Sequence, residues 1–310
     1  MIRERAVILD VAGESLFAIV TEPGAEAAPA RGPRAGVVFL TRPRAHRNRM
    51  WVDAARAVAS RGVTAIRFDY HGEGDSTGAS HYLNPEQPYG ADAAAALQHL
   101  VDACGVERAG ILGSCFDGRT ALAAAGASPH CAALVFMSAP ALDESGEMER
   151  LVRERGVAHY WRRLRQPDAW RALVSPERLG IALRIISTRI RRRVGASASG
   201  ATATNGGAAA SGAAPPAIRP SPAFVRDLRA LVARRTPALF LYGNADAYYP
   251  GFQSVIDREL PRLSAEERAR FEFVVLEGEA HGYLSIPMQK NIVAHATQWL
   301  EKTLTSEGSR

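Results

Sequence analysis

A chain of 310 residues, 47% hydrophobic and 23% charged, has the composition of an ordinary globular protein and can bury a core without a disulfide or metal staple. Its three cysteines, Cys104, Cys115 and Cys131, form no C-x-x-C pair and no cysteine–histidine cluster. That usage excludes a disulfide framework and a structural metal site, and points to a reducing, cytoplasmic location.

The net charge of +6 is carried almost wholly by arginine, since Lys290 and Lys302 are the only lysines. A composition bias, which the abundant alanine shares, is one reading; an acidic or phosphate-bearing partner is the other.

The first residues, MIRERAVILDVAGESLFAIV, are charged early and lack a continuous apolar core and a small-residue cleavage site. They read as strand, not signal peptide, and two β-type runs around Ala12-Gly13 predict a hairpin. A Pro/Ala-rich connection over 23–35 leads to AGVVFLT, a buried strand. RMWVDAARAVASRG has helical spacing of Trp51, Ala54, Ala55 and Val58, with Gly62 as a stop. VTAIRFDY is a strand and ADAAAALQHLVDAC a helix; RAGILGS, DGRTALAAAGA and CAALVFMSA continue as strand, helix and strand.

After a long interruption the alternation resumes. FVRDLRALVAR is helical, TPALFLYG a strand, FQSVIDREL helical, RFEFVVLEG a strand and PMQKNIVAHATQWLEKTL a closing helix. Apolar strands alternating with helices predict a mostly parallel sheet covered on both faces, an α/β domain built from 1–141 and 223–310. No stretch reaches the roughly 20 uninterrupted apolar residues of a membrane span.

The interruption, 142–222, reads as an inserted helical cap. Its first part is amphipathic, with thirteen arginines against five acidic residues between Glu147 and Gly195; its second, about 195–217, is low-complexity Ala/Gly/Ser/Thr that reads as a flexible loop.

The chemistry is expected at RAGILGSCFDGRTALAAA, residues 108–125. A nucleophile on a sharp strand-to-helix turn projects from the C-terminal edge of the sheet. Backbone N–H groups and a helix N-terminus there favour an oxyanion. Such a turn needs small flanking residues. Gly113 stands two before Cys115, while Asp117 stands two after it, where the usual pattern has glycine, and Gly118 follows. Taking Ser114 instead would put Leu112 and Phe116 at the flanks, so Cys115 is the better candidate.

At these residues the chain resembles the α/β-hydrolase superfamily over nearly its whole length. Dienelactone hydrolases, polyhydroxyalkanoate synthases and a group of exosortase-associated and biosynthetic hydrolases carry cysteine at this corner. The resemblance implies the chain order nucleophile, acid, histidine. Asp246 in LFLYGNADAYYP and His281 in VVLEGEAHGYLSIP each stand just past an apolar strand. His281 would take the thiol proton and return it to a leaving group, and Asp246 would hold the imidazole.

The oxyanion hole is expected from the N–H of Phe116 and one N–H after GVVFL. There Pro43 has none, which leaves Thr41, Arg42 or Arg44, with Arg42 preferred. Asp117 would add a carboxylate beside the site. AHRNRMW is similar to stretches of the biosynthetic relatives and implies that His46 or Arg47 lines the pocket, a surface role being the alternative. RFDYHGEGDSTG is similar to the superfamily's Asp-x-x-Gly-x-Gly-x-Ser segment, in which Asp69 and Asp75 hold a loop and Ser76 is no nucleophile.

A thiolate lowered in pKa by an imidazolium and a helix N-terminus would form a thioester acyl-enzyme. Hydrolysis of an acyl ester or thioester is the first expectation, with no cofactor and no metal, and acyl transfer from the same intermediate is the second. YWRRLRQPDAWRAL is similar to the cap of exosortase-associated hydrolases and implies an acyl substrate. Tyr160 and Trp161 would then wall its pocket, and the cap arginines would attract coenzyme A or an acidic carrier protein. Solvated arginines and plain aromatic packing are the alternatives. A non-catalytic ligand-binding protein is a third reading, supported by the departures at Asp117 and 41–43. Nucleic acid is not expected, because no recognised binding motif or aromatic platform is present.

Overall fold

The computed structural model describes residues 1–26, 32–42, 44–45, 47–79, 84, 86, 88–143, 219–280 and 285–306. The hairpin at the start forms where the sequence predicts it. β1 (Arg3–Val11) and β2 (Glu14–Glu22) pair antiparallel, and the two linking residues, Ala12 and Gly13, both take positive φ. Such a turn matches the right-handed twist of its strands.

Six further strands follow: β3 (Ala35–Leu40), β4 (Thr64–Phe68), β5 (Arg108–Ser114), β6 (Cys131–Met137), β7 (Ala238–Gly243) and β8 (Phe271–Leu276). The sheet order is β1-β2-β4-β3-β5-β6-β7-β8, with β2 antiparallel to β4 and every later pair parallel. β3, β4 beyond Thr64 and β7 are buried throughout, as strands covered on both faces must be.

The connecting helices are α1 (Met50–Ala59), α2 (Gly90–Asp102), α3 (Phe116–Ala127), α4 (Pro222–Ala233), α5 (Tyr249–Glu259), the single turn α6 (Ala265–Arg268) and α7 (Ile286–Thr305). Two apolar clusters result. One, around Phe136, Phe240 and Phe252, packs under α2, α3, α4 and α5; the other, around Phe39, Trp51 and Leu300, packs under α1 and α7. This is the α/β-hydrolase fold.

Connectivity decides where a site can lie. From β3 the chain crosses through α1 to β4 on one side, and from β5 it crosses through α3 to β6 on the other. The order therefore reverses between β3 and β5, and a crevice opens beyond their C-terminal ends; in open α/β sheets such a switch point is where ligands bind.

All these residues belong to one unit, 1–147 with 218–310. A second unit, 148–217, lies outside the described residues, and with it Tyr160, Trp161, the arginine-rich helical segment and the 195–217 loop. The two ends of the insertion run side by side. Leu142 and Pro220 form an antiparallel bridge, Asp143 N–H donates to the Arg219 carbonyl (3.1 Å), and Ser221 N–H donates to the Ala141 carbonyl (2.9 Å). Among the described residues no helix is long and apolar enough to cross a membrane.

Beneath these legs α3 presents Arg119, fully buried. Its Nη1 donates to the Pro140 carbonyl (3.3 Å) and its Nη2 to Ser221 Oγ (2.8 Å), while the same Oγ caps α4 by accepting from Phe224 N–H (3.0 Å). Ser221→Ala removes a cap and strips a buried guanidinium of a partner. The expected loss is about 2–3 kcal/mol, read by urea denaturation.

Candidate active site

The corner after β5 is as sharp as the small residues around it suggest. Cys115 has φ 56° and ψ −129°, a conformation that L-residues with a side chain rarely adopt, and α3 begins at the next residue. A Cβ on Gly113 would lie 2.2 Å from the Asp117 carbonyl oxygen, and one on Gly118 would lie 2.6 Å from the Ala139 Cβ. Gly118 thus supplies the small residue whose absence at 117 the sequence left conspicuous. Cys115 N–H donates to the Met137 carbonyl (3.0 Å), tying the corner to the end of β6. Ser114, by contrast, is the last paired residue of β5 and is buried.

Burial pushes Cys115 up to about 12; the Phe116 N–H bonded to the sulfur and the charge of Arg42 pull it down, while Asp117 pushes it up further. Among the described residues desolvation of the thiolate outweighs the helix N-terminus; the imidazole expected to lower the pKa belongs to His281, outside the described residues.

Asp246 follows β7 at the same edge. It is buried, and its Oδ2 accepts from Ser138 Oγ (2.6 Å) and from the Gly243 N–H (2.7 Å). Ser138, at positive φ just past β6, also donates its N–H to the Leu241 carbonyl (2.9 Å). Sequence reasoning missed Ser138; its pairing with a residue 108 positions away carries no local signal.

His281 lies outside the described residues, but the backbone leading to it is fixed. Ala245 N–H donates to the Gly278 carbonyl (3.0 Å), Gly278 N–H to Asn244 Oδ1 (2.8 Å), and a Cβ on Gly243 would strike the Gly278 oxygen at 2.2 Å and the Ala280 nitrogen at 2.5 Å. The loop that precedes position 281 is packed on the loop that holds Asp246.

Across the crevice, the chain after β3 places Thr41 and Arg42 beside the corner, because Leu40 pairs with Gly113 in the parallel ladder. The Arg42 side chain turns to the elbow: Nε donates to Asp117 Oδ1 (2.8 Å) and Nη1 to Glu73 Oε1 (2.5 Å). Its guanidinium plane lies 4.1 Å from the Tyr70 ring centre and 4.7 Å from that of Tyr89. The Asp117 carboxylate, expected beside a substrate, is instead buried against this guanidinium. Burial raises its pKa and Arg42 opposes the rise. Tyr70 is fully buried, and burial first and Asp117 second push its hydroxyl pKa up.

The neighbouring loop is held by its own side chains and by β2, with Phe17 N–H donating to Ser76 Oγ (2.9 Å). Asp69 accepts from the Arg44 side chain and from the Asp75 N–H (3.2 Å), Arg44 Nη2 reaches Asp75 (2.8 Å), and Ser76 Oγ donates to the Asp69 carbonyl (2.7 Å). Asp69, Asp75 and Ser76 therefore hold the loop, as the sequence suggested. His46 lies outside the described residues, and so does the side chain of Arg47. Among the described residues no group of acidic, histidine or cysteine side chains is arranged to hold a metal ion.

The sequence pattern of the serine aminopeptidase S33 hydrolases matches residues 31–189, just over half of the chain. The chain belongs to that family. It is a hydrolase of the α/β serine-hydrolase type. Similar solved structures include a proline iminopeptidase from Mycobacterium smegmatis (16% identity, TM-score 0.56, covering 98% of this chain and 100% of that one). An esterase from Pyrococcus furiosus is 12% identical at TM-score 0.61, covering 98% and 93%, and a 2,6-dihydroxy-pseudo-oxynicotine hydrolase is 17% identical at 0.59, covering 99% and 69%. At these identities the likeness shows the α/β-hydrolase fold alone. No curated protein matches the chain in sequence.

Gly113→Ala forces its methyl onto the Asp117 carbonyl and is expected to cost at least about 2 kcal/mol, seen as a lower thermal midpoint. Ser138→Ala removes one of the donors to Asp246. It is expected to slow turnover with little change in the far-ultraviolet circular dichroism spectrum, an outcome checked on purified variants.

Proposed function

We propose that this S33 hydrolase uses Cys115 as its nucleophile, with His281 as base and Asp246 as the group that orients it, and cleaves an acyl ester or thioester through an acyl-Cys115 intermediate. The observation that carries the reading is the conformation of Cys115: a positive φ at a strand-to-helix corner, at the mouth of the crevice, with the Phe116 N–H on its sulfur. Strain of this kind costs on the order of 1–3 kcal/mol and persists where the surroundings enforce it. Asp246, held by two donors at the same edge and tied to the backbone before His281, fits the orienting role.

The high thiol pKa shapes the mechanism. With Cys115 at about 12, resting thiolate is scarce near neutrality, so attack requires proton removal as the C–S bond forms. His281 takes the proton while the sulfur adds to the carbonyl carbon. The oxyanion that develops is received by the Phe116 N–H and by an N–H of residues 41–42. Collapse expels the alcohol or thiol, which takes the proton from His281. Water, activated by the same imidazole, then releases the acid. An amine or alcohol in place of water would make the same intermediate an acyl-transfer donor, and product analysis with added nucleophiles separates the two outcomes.

The substrate is proposed to be a small acyl compound. The carrier or coenzyme A that the arginine-rich segment would attract is proposed with it, no nucleic acid is involved, and no cofactor or metal is needed for these steps.

Intact-mass analysis after incubation with activated esters and acyl thioesters tests the reading. The wild type is expected to gain one acyl mass, lost in Cys115→Ala and formed far more slowly in His281→Ala. No adduct across a broad panel would return weight to a ligand-binding protein without turnover. In His281→Ala, alkylation by iodoacetamide is expected to climb with pH from about 7 to about 10 without a plateau, because the acid form of a thiol near 12 persists throughout that range. A plateau near the ordinary thiol pKa would sink this part.

A further inference from the structure

The buried ion pair beside the nucleophile has no counterpart in the mechanism so far. Arg42 belongs to one lip of the crevice, the segment after β3; Asp117 belongs to the other, the first turn of α3. They meet at 2.8 Å, with side-chain exposures of only 16% and 9%. Taking two charges out of water at this point is costly, and a buried pair is weak evidence of stability as such.

We propose that the Arg42–Asp117 ion pair is a clamp that fixes the segment after β3 against the elbow, and so sets the spacing between the Phe116 N–H and the N–H groups of residues 41–42. The proposal rests on the acyl-enzyme reading above and deepens it: Arg42 and Asp117 are positioning residues, acting on the oxyanion through the backbone they hold.

Three observations favour a clamp over an incidental contact. First, the two donor sets come from different strands, which meet in the ladder at the Leu40–Gly113 position just before both. Oxyanion donors must be placed to a fraction of an ångström to be effective. Second, the guanidinium is held on every side. Asp117 and Glu73 each take a hydrogen bond, and the rings of Tyr70 and Tyr89 cover its face. A lysine could not make both bonds and stack. Third, an aspartate two residues after the nucleophile would on its own oppose charge developing at the sulfur and the oxyanion. The guanidinium at 2.8 Å opposes that field, so the carboxylate is tolerated beside the chemistry as one half of a pair.

Two reactions of the same thiol separate the clamp from its alternatives. Acylation by p-nitrophenyl acetate passes through an oxyanion; alkylation by iodoacetamide does not. Asp117→Asn is expected to slow acylation by about 10²-fold, the scale of losing one oxyanion donor. Alkylation should be unchanged or faster in the same variant, since a negative neighbour of the thiol is gone. Arg42→Lys, which keeps the charge and loses the fork, is expected to show the same acylation loss with normal alkylation. The double variant Arg42→Gln/Asp117→Asn buries no unpaired charge and should lose no more than either single change, as two halves of one device do.

Acylation by Asp117→Asn and by the double variant within about twofold of wild type overturns the clamp. Parallel loss of acylation, alkylation and thermal midpoint also overturns it, in favour of a purely structural pair. Failure of the wild type to acylate while Cys115 alkylates normally overturns the acyl-enzyme reading itself, a result distinct from both.

Discussion

The site hangs on a steric constraint at the end of β5. Because Gly113 has no Cβ, the first turn of α3 can fold back until the Asp117 carbonyl comes within 2.2 Å of where that carbon would be. The fold-back goes with the positive φ of Cys115 and with the Phe116 N–H that bonds its sulfur. The Met137 carbonyl holds the Cys115 N–H from one side, and the next residue, Ser138, carries the link on to Asp246. One missing methyl therefore sets the corner from which the rest of the site is reached, through neighbouring strand ends rather than through flexible side chains.

Charge at the described edge of the sheet is paired rather than displayed. Arg42 meets Asp117 and Glu73, and Arg44 meets Asp69 and Asp75. Arg119 is buried, spending two of its donors on Pro140 and Ser221, and burial lowers it to about 10. The positive balance of the whole chain thus says little about this crevice. In this closely balanced environment burial pushes the Cys115 thiol up, so the proposed attack would depend on the timing of a proton transfer rather than on a standing thiolate.

Much of the fold was legible because it is local or periodic. The hairpin at Ala12-Gly13, the buried strands such as AGVVFL and TPALFLYG, and the alternation that makes the sheet parallel all follow from patterns a few residues long. The turn α6 was not anticipated, although SAEE carries its signal: Ser264 and Glu267 form a reciprocal capping box there. The candidate site was legible only in outline. Cys115 and Asp246 could be placed at strand ends, but Ser138, Glu73 and the Arg42–Asp117 pair join residues 31 to 108 positions apart, and only the folded sheet brings them together. Asp117 looked like a defect in a small-residue pattern because that pattern is written for position 117, whereas the close approach to Ala139 is made at Gly118.

A cysteine in a family named for serine needs no new architecture. The corner constrains backbone angles and the size of the flanking residues, neither of which distinguishes sulfur from oxygen. In the same surroundings a thiol is more acidic than a serine hydroxyl, so a base able to serve serine there would also serve Cys115. What changes is the intermediate. A thioester passes its acyl group to amines and other thiols more readily than an oxygen ester does, so the proposed acyl-Cys115 intermediate would widen the range of acceptors with no other part of the crevice moved. Selection between water and another acceptor would then fall to whatever controls access to the mouth between β3 and β5. That is a property of the loops around the corner and not of the nucleophile.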